Sequence, residues 1–373
     1  MHTKNEPARL ADRPEDYARF KLARHHIEPW EDGIRIDTGA PNIEWWYVDA
    51  DLDDGAALCL IFTTKDGTRP GQPLAPQLEI DLTLPDGTRT VRSAYFKPEE
   101  FSASKDGCDV RIGPYRFTGD LHEYRITGAA EELWADVQLE GQTPSWRPET
   151  GNLFFGPNDE HFFAWTPFVP YGKVTVTYKI GDEVHQATGR GYHDHNWTNR
   201  DIGDLVDHWW WARGEVGPYT FITAHIVAAK KYGLTPFHWY MLARDGKVIE
   251  DDGSKMTFTL RGAEIDEHTG KPTPDAICFD YKDGDTRYEL TLTRQKTLVD
   301  YTWIDFAKGW QKSLLKLIRY PGGYMRFAST TNLNCYQEGK LVEHYENTGA
   351  FEQIFYAREI NEELWDREQP AHA

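Results

Sequence analysis

From Ile43 onward the chain alternates between apolar and polar positions. Ile43-Glu44-Trp45-Trp46-Tyr47-Val48-Asp49-Ala50 runs into the turn Asp53-Asp54-Gly55, and Ala56–Thr63 returns. A period of two closed by an acidic-glycine turn is the pattern of a β-hairpin. The unit repeats at Gln77–Leu84, Pro85-Asp86-Gly87 and Thr88–Tyr95, and further strands are predicted at Asp109–Ile112, Leu121–Thr127, Glu132–Leu139, His161–Phe168 and Lys173–Ile180. A second set begins with Thr188–Trp197, Val206–Arg213, Tyr219–Ala228 and Phe237–Arg244 and closes with Tyr324–Thr331, Lys340–Tyr345 and Ala350–Tyr356. Many short strands without intervening helices exclude a doubly wound α/β sheet and predict an all-β fold of barrels or sandwiches. The helical exceptions are a short segment around Asp12–Phe20 and Phe306–Tyr320. In the latter, Phe306, Trp310, Leu314 and Ile318 recur every four residues with lysines between them, before Pro321-Gly322-Gly323. The expected organisation is a polar extension over residues 1–30, one β domain over 31–185, a second over 186–359, and a polar tail over 360–373.

Composition narrows the function. The 373 residues carry 41 Lys and Arg against 60 Asp and Glu, a formal charge of -19, which repels phosphate backbones and anionic lipid and argues against nucleic acid as a partner. No window has the length and apolarity of a membrane span, and the first residues lack the apolar run of a signal peptide, so a cytoplasmic protein is the expectation. Cys59, Cys108, Cys278 and Cys335 are scattered without the paired spacing of a zinc site or a disulfide framework. The 14 Trp, 19 Tyr and 18 Phe exceed the needs of a small core and fit the walls of an apolar pocket.

Chemistry concentrates in Gly189-Arg190-Gly191-Tyr192-His193-Asp194-His195-Asn196-Trp197, followed by Asp207-His208-Trp209-Trp210-Trp211. On an extended strand Tyr192, Asp194 and Asn196 share one face, and His193, His195 and Trp197 the other. A carboxyl group held among indoles loses solvation, which raises its pKa and keeps it protonated near neutrality. Asp194 then serves as an acid, with His193 or His195 as base or water-holder. Glu44, on the same strand face as Trp46, is either an ion-pair partner or a second proton-handling group. A metal held by His193 and His195 with His208 or His225, and with Asp207 or Glu44, is the rival arrangement, but His-x-His is its only spacing signal. Nucleotide loops and serine nucleophile elbows are absent, so the expected chemistry uses neither cofactor nor metal.

Glu44-Trp45-Trp46-Tyr47 and Gly189-x-Gly191-Tyr192-x-Asp194-His195-Asn196-Trp197 resemble the hydroxyneurosporene synthase (carotenoid 1,2-hydratase)/AttH-like superfamily, which includes kievitone hydratase-like proteins and fungal Diels–Alderases. The resemblance covers about residues 40–356 and departs at Thr198, where relatives often carry Gly. It implies two lipocalin-like antiparallel β domains, an apolar substrate and chemistry without a redox cofactor.

The sequence therefore predicts a cofactor-independent hydratase or dehydratase acting on a bulky apolar natural product. An intramolecular cyclase or isomerase is the first alternative, and a non-catalytic lipocalin-like binding protein the second. Asp194, His195, His193 and Glu44 are the candidate catalytic residues. Tyr192, Asn196, Trp46, Trp165, His208, Trp209, Trp211 and Trp239 are the candidate substrate contacts. Substrate identity and oligomeric state are left open by the sequence.

Overall fold

The computed structural model describes residues 6–67, 69–306 and 322–356, and within that range nearly all regular structure is antiparallel strand. The amphipathic segment Phe306–Tyr320 lies outside the described residues apart from Phe306, which ends a short 3-10 turn, Trp303–Phe306. The chain forms two compact units, Ala8–Leu205 and the residues from Val206 onward joined by the segment ending at Pro7.

Three long strands form the centre of the first unit: β1 (Ile43–Leu52), β2 (His161–Ile180) and β3 (Glu183–Thr198). Their sheet runs in the order Arg89–Tyr95, Gln77–Thr83, Ala57–Thr63, β1, β3, β2, Leu133–Gly141, Glu123–Ala130, Tyr115–Gly119, Cys108–Ile112, Phe101–Ala103. It curls into a half-barrel, so that strands far apart in this order pack face to face. A Cβ on Gly128 would sit 2.8 Å from Leu60 Cδ2 and 3.1 Å from Leu78 Cδ1, so the facing strands approach closely at this glycine. Trp46, Val48, Ala50 and Leu52 alternate inward from β1 and join Leu60, Phe62, Ile80, Phe117 and Ile126 in one core.

The sequence pattern breaks His161–Ile180 into two strands at its prolines, whereas the structure carries one strand through them. Pro167 and Pro170 donate no ladder hydrogen bond, and the register against β3 shifts between Pro167 and Val169 and again between Val169 and Gly172. Bulges absorb the prolines, bend the strand and let it continue. β3 pairs β2 along its length and β1 from Gly189 to Thr198, which ties it to the first unit. The two compact units divide between Leu205 and Val206.

The second unit contains a nine-stranded open sheet. It includes β4 (Val206–Val216), β5 (Tyr219–Ala228), β6 (Pro236–Arg244) and β7 (Lys340–Phe355), with β4 between β5 and β7. Trp210, Phe221, Tyr240, Phe258, Phe279, Phe327 and Phe351 belong to its core. The expected all-β architecture of barrel or sandwich domains takes the form of a curled half-barrel sheet and an open one: among the described strands, the end members of neither sheet pair with each other.

Candidate functional site

β3 is buried on both faces from Gly191 to Thr198, and alternation sorts its polar side chains into two separate clusters. The inward cluster faces the half-barrel core. His195 Nε2 lies 2.8 Å from Glu44 Oε1, and its Nδ1 lies 3.3 Å from Asp32 Oδ1. His193 Nε2 lies 3.1 Å from Asp32 Oδ2 and Nδ1 lies 2.8 Å from the Tyr47 carbonyl oxygen. Tyr124 donates its hydroxyl to Asp32 Oδ2 at 2.7 Å, and the Arg35 amide donates to Glu44 Oε1 at 2.6 Å. Trp46 stacks on His195 with ring centroids 4.3 Å apart and donates its indole N–H to the Asp32 carbonyl.

Burial works against ionised Asp32, but the two imidazoles outweigh it and hold its pKa down at about 2. For His195 burial favours the neutral ring, yet Asp32 and Glu44 outweigh that effect and raise its pKa. Both histidines, Asp32 and Glu44 are fully buried. Their hydrogen bonds bind one another and the scaffold, an arrangement suited to clamping β3 against β1.

The outward cluster is built around Asp194. Trp165 donates its indole N–H to Asp194 Oδ2 at 2.8 Å, Tyr192 donates its hydroxyl to the same oxygen at 2.7 Å, and Asn196 donates to Oδ1 at 2.6 Å. Every one of these donors is neutral. Burial raises the Asp194 pKa, and the three hydrogen bonds only partly oppose it. Trp146 meets Trp165 edge-on at 5.9 Å, and Tyr47 meets Tyr192 at 6.2 Å. The carboxyl group therefore sits within an aromatic shell.

Sequence reasoning places the two faces correctly, but several of its candidates play different structural parts. Trp46, expected as a substrate contact, is a core residue of the half-barrel. Glu44, His193 and His195 are gathered with Trp46 on the face opposite Asp194, so they cannot meet a ligand that touches Asp194 from its own side. Trp165, Tyr192 and Asn196 do gather around Asp194.

In the second unit the Trp209–Trp211 run splits by alternation. Trp210 enters the core, whereas Trp209 donates to Glu352 Oε1 at 3.1 Å and Trp211 lies 5.9 Å from the Arg213 guanidinium. Trp239 is buried on β6, opposite Ala224, which is itself opposite Trp211. His208 packs on the core side against Trp210 and Phe355.

The sequence reading missed Asp32 and Tyr124. Asp32 stands in the 3-10 turn Pro29–Asp32, where no periodicity ties it to a strand. Asp32, Cys108 and His193 bring one donor atom each within 4.8 Å of one another, a combination that could hold a cation. His193 and Tyr124 already occupy Asp32 Oδ2. A separate cleft of about 960 Å³ is lined by Cys108, Tyr124, Leu139, Lys173 and Arg190 among others, and does not include Asp194.

A Diels-Alderase-like family model matches residues 38–311, which hold β1, β2 and β3. The chain belongs to the Diels-Alderase-like family. It is an enzyme, as the sequence led us to expect. The matched span includes Glu44, Trp165 and the whole outward cluster but begins after Asp32. The quinolone epoxide rearrangement protein of Emericella nidulans is 24% identical over 300 residues, which cover 74% of this chain and 78% of that protein. Two solved structures show the same fold. CghA with Sch210972 gives a TM-score of 0.62 at 13% identity, over 87% of this chain and 95% of that one. An AttH homologue from Nitrosomonas europaea gives 0.59 at 16% identity, over 88% and 96%. The chain thus shares its fold with both of these solved structures. No helix among the described residues is long and apolar enough to cross a membrane.

Proposed function

We propose that this chain catalyses an acid-assisted rearrangement or cyclisation of a bulky, mostly apolar natural product, without a cofactor. The observation that carries this reading is the Asp194 carboxyl group: buried, raised in pKa, and held by three neutral donors in an aromatic shell. Such an acid is protonated at a pH where ordinary aspartates are not, and can give its proton to an epoxide, carbonyl or alkene. The resulting carboxylate, steadied by Tyr192, Trp165 and Asn196, can take a proton back from the rearranged skeleton. One group then serves both steps, and the product is an isomer of the substrate. Indole faces stabilise developing positive charge by up to about 2 kcal/mol when desolvated, and holding a flexible skeleton in a reactive shape lowers the barrier further.

Hydration or dehydration, favoured by the motif alone, needs a second group to hold water. The placement of His193 and His195 behind the strand moves that reading to second place. In this proposal those two, with Glu44, position β3 rather than touch substrate.

The test uses the natural product extracted from the purified protein and identified by mass spectrometry. Asp194→Asn keeps an acceptor for Tyr192 and Trp165, so binding is expected to persist while turnover falls about 10²–10⁴-fold, the usual worth of positioned proton transfer. Product mass after turnover in oxygen-18 water separates the two readings: an isomerase leaves the mass unchanged and unlabelled, hydration adds a labelled water, and dehydration removes one. Unchanged turnover by Asp194→Asn would sink both.

A further inference from the structure

Asp207 and His208 are adjacent in the chain, and adjacent residues of a regular strand point to opposite faces. Here their side chains meet, with His208 Nδ1 2.7 Å from Asp207 Oδ1. The register of β4 explains how. Val206 pairs Ala228 and His208 pairs Val227, so Asp207 is skipped and forms a bulge, the device by which a strand re-aims one side chain. The Tyr356 amide donates to the Asp207 carbonyl at 2.8 Å and pins the bulge. An ionised carboxylate only accepts, so Nδ1 donates, and in the neutral ring Nε2 carries the lone pair. That Nε2 is buried and has no hydrogen-bond partner among the described residues, with the whole residue 3% exposed.

The surroundings are aromatic and cationic. The ring meets Trp210 edge-on at 4.8 Å and Phe355 at 5.3 Å. Lys271 is also buried, with Nζ 5.5 Å from the centroid of the same Phe355 ring. Burial lowers its pKa, while the Asp207 charge opposes that shift. An oriented imidazole acceptor and an ammonium therefore flank one aromatic ring within the second unit.

We propose that His208 is a proton-accepting site for a weakly acidic hydroxyl, a phenol or enol, of a small molecule bound in the second unit, with Asp207 as its positioning residue. The ligand O–H bond breaks and an N–H bond forms at Nε2. The phenolate or enolate keeps the electron pair, and the imidazolium is paired with Asp207. The class follows from matching: a neutral imidazole is a weak base, able to take a proton from an acidic hydroxyl but not from an aliphatic alcohol, and the neighbouring rings suit a planar ligand. The sequence reading makes His208 a candidate substrate contact, or a third ligand in the rival metal arrangement. This inference is independent of Asp194.

The probe is 4-nitrophenol, colourless as the phenol and yellow as the phenolate, added to the full chain at a pH below its own pKa. Wild type is expected to bind it and produce the phenolate band. Asp194→Asn should keep the band, which separates this inference from the proposed function. His208→Gln should abolish the band, and Asp207→Asn should weaken binding of the ionised probe about tenfold or more, the scale of a charge-assisted hydrogen bond. His208→Phe, which matches the aromatic neighbours, serves if the Gln variant does not fold. A band that survives both His208 substitutions, or its absence from wild type, overturns the inference.

Discussion

The indole N–H of Trp165 donates to Asp194 Oδ2 at 2.8 Å, sharing that oxygen with the Tyr192 hydroxyl. Both bonds favour the ionised carboxylate and restrain a pKa that burial pushes upward. Trp165→Phe removes one restraint, so the Asp194 pKa is expected to rise further. Because the protonated acid is the active form in the proposed mechanism, activity is present below that pKa and lost as pH rises through it. The alkaline limb of the pH–rate profile should therefore move to higher pH in Trp165→Phe, and Tyr192→Phe should move it the same way. A limb that stays in place or moves to lower pH contradicts the assignment.

Asp194 also has a consequence for stability. A folded-state pKa raised above the unfolded value contributes stability that is complete below the unfolded pKa, about 3.9, and fades as pH rises through the folded value. Asp194→Asn removes this titration. Its melting temperature relative to wild type should improve from acidic to neutral pH, measured by calorimetry across that range.

The inward cluster predicts the opposite kind of failure. Removing His195 leaves Glu44 and Asp32 facing each other's charge in a dry core, a loss on the order of 3–5 kcal/mol for a broken buried pair. His195→Ala should therefore show a large drop in denaturant midpoint, much larger than that of Asp194→Asn. The raised pKa of His195 contributes stability complete below about 6.5 and lost as pH rises through the folded value. The lowered pKa of Asp32 contributes above about 3.9 and is lost as pH falls through about 2. Wild type should hold its midpoint best between these limits, and Glu44→Gln should weaken the alkaline side.

Gly189 allows β3 to lie close to β1. A Cβ there would come within 2.2 Å of the Asp51 carbonyl oxygen and 2.8 Å of Leu52 Cα. Backbone cannot yield as a side-chain tip can, so Gly189→Ala should cost about 1–3 kcal/mol or more. Gly181→Ala meets no atom within 4 Å, although its φ of +60° adds local backbone strain. The comparison isolates the steric part: the Gly189 variant should lose midpoint well beyond the Gly181 variant.

The fold and site were legible to different depths. Alternation in Gly191–Trp197 was enough to sort Asp194 from the two histidines, because strand geometry fixes which side chains share a face. The prolines at 167 and 170 hid the continuity of β2, since a bulge in a paired strand looks like a break when only one strand is in view. Asp32 was invisible for a related reason. Its role comes from contacts with His193 and His195 more than 150 residues away, and a short turn has no period to betray them. The same alternation that reveals Asp194 sends Trp210 into the core and leaves Trp209 and Trp211 on the other face.

β3 begins in solvent and ends in the dry interior: Val184 is 55% exposed, while every residue from Gly191 to Thr198 is buried. Amide exchange should sweep along this one strand as a gradient, fast at its start and slowest beside Asp194. A fluorophore attached at position 184 would thus share a backbone with the acid, ten residues away, and report on the strand's tightening when a ligand binds without disturbing the buried surroundings of Asp194.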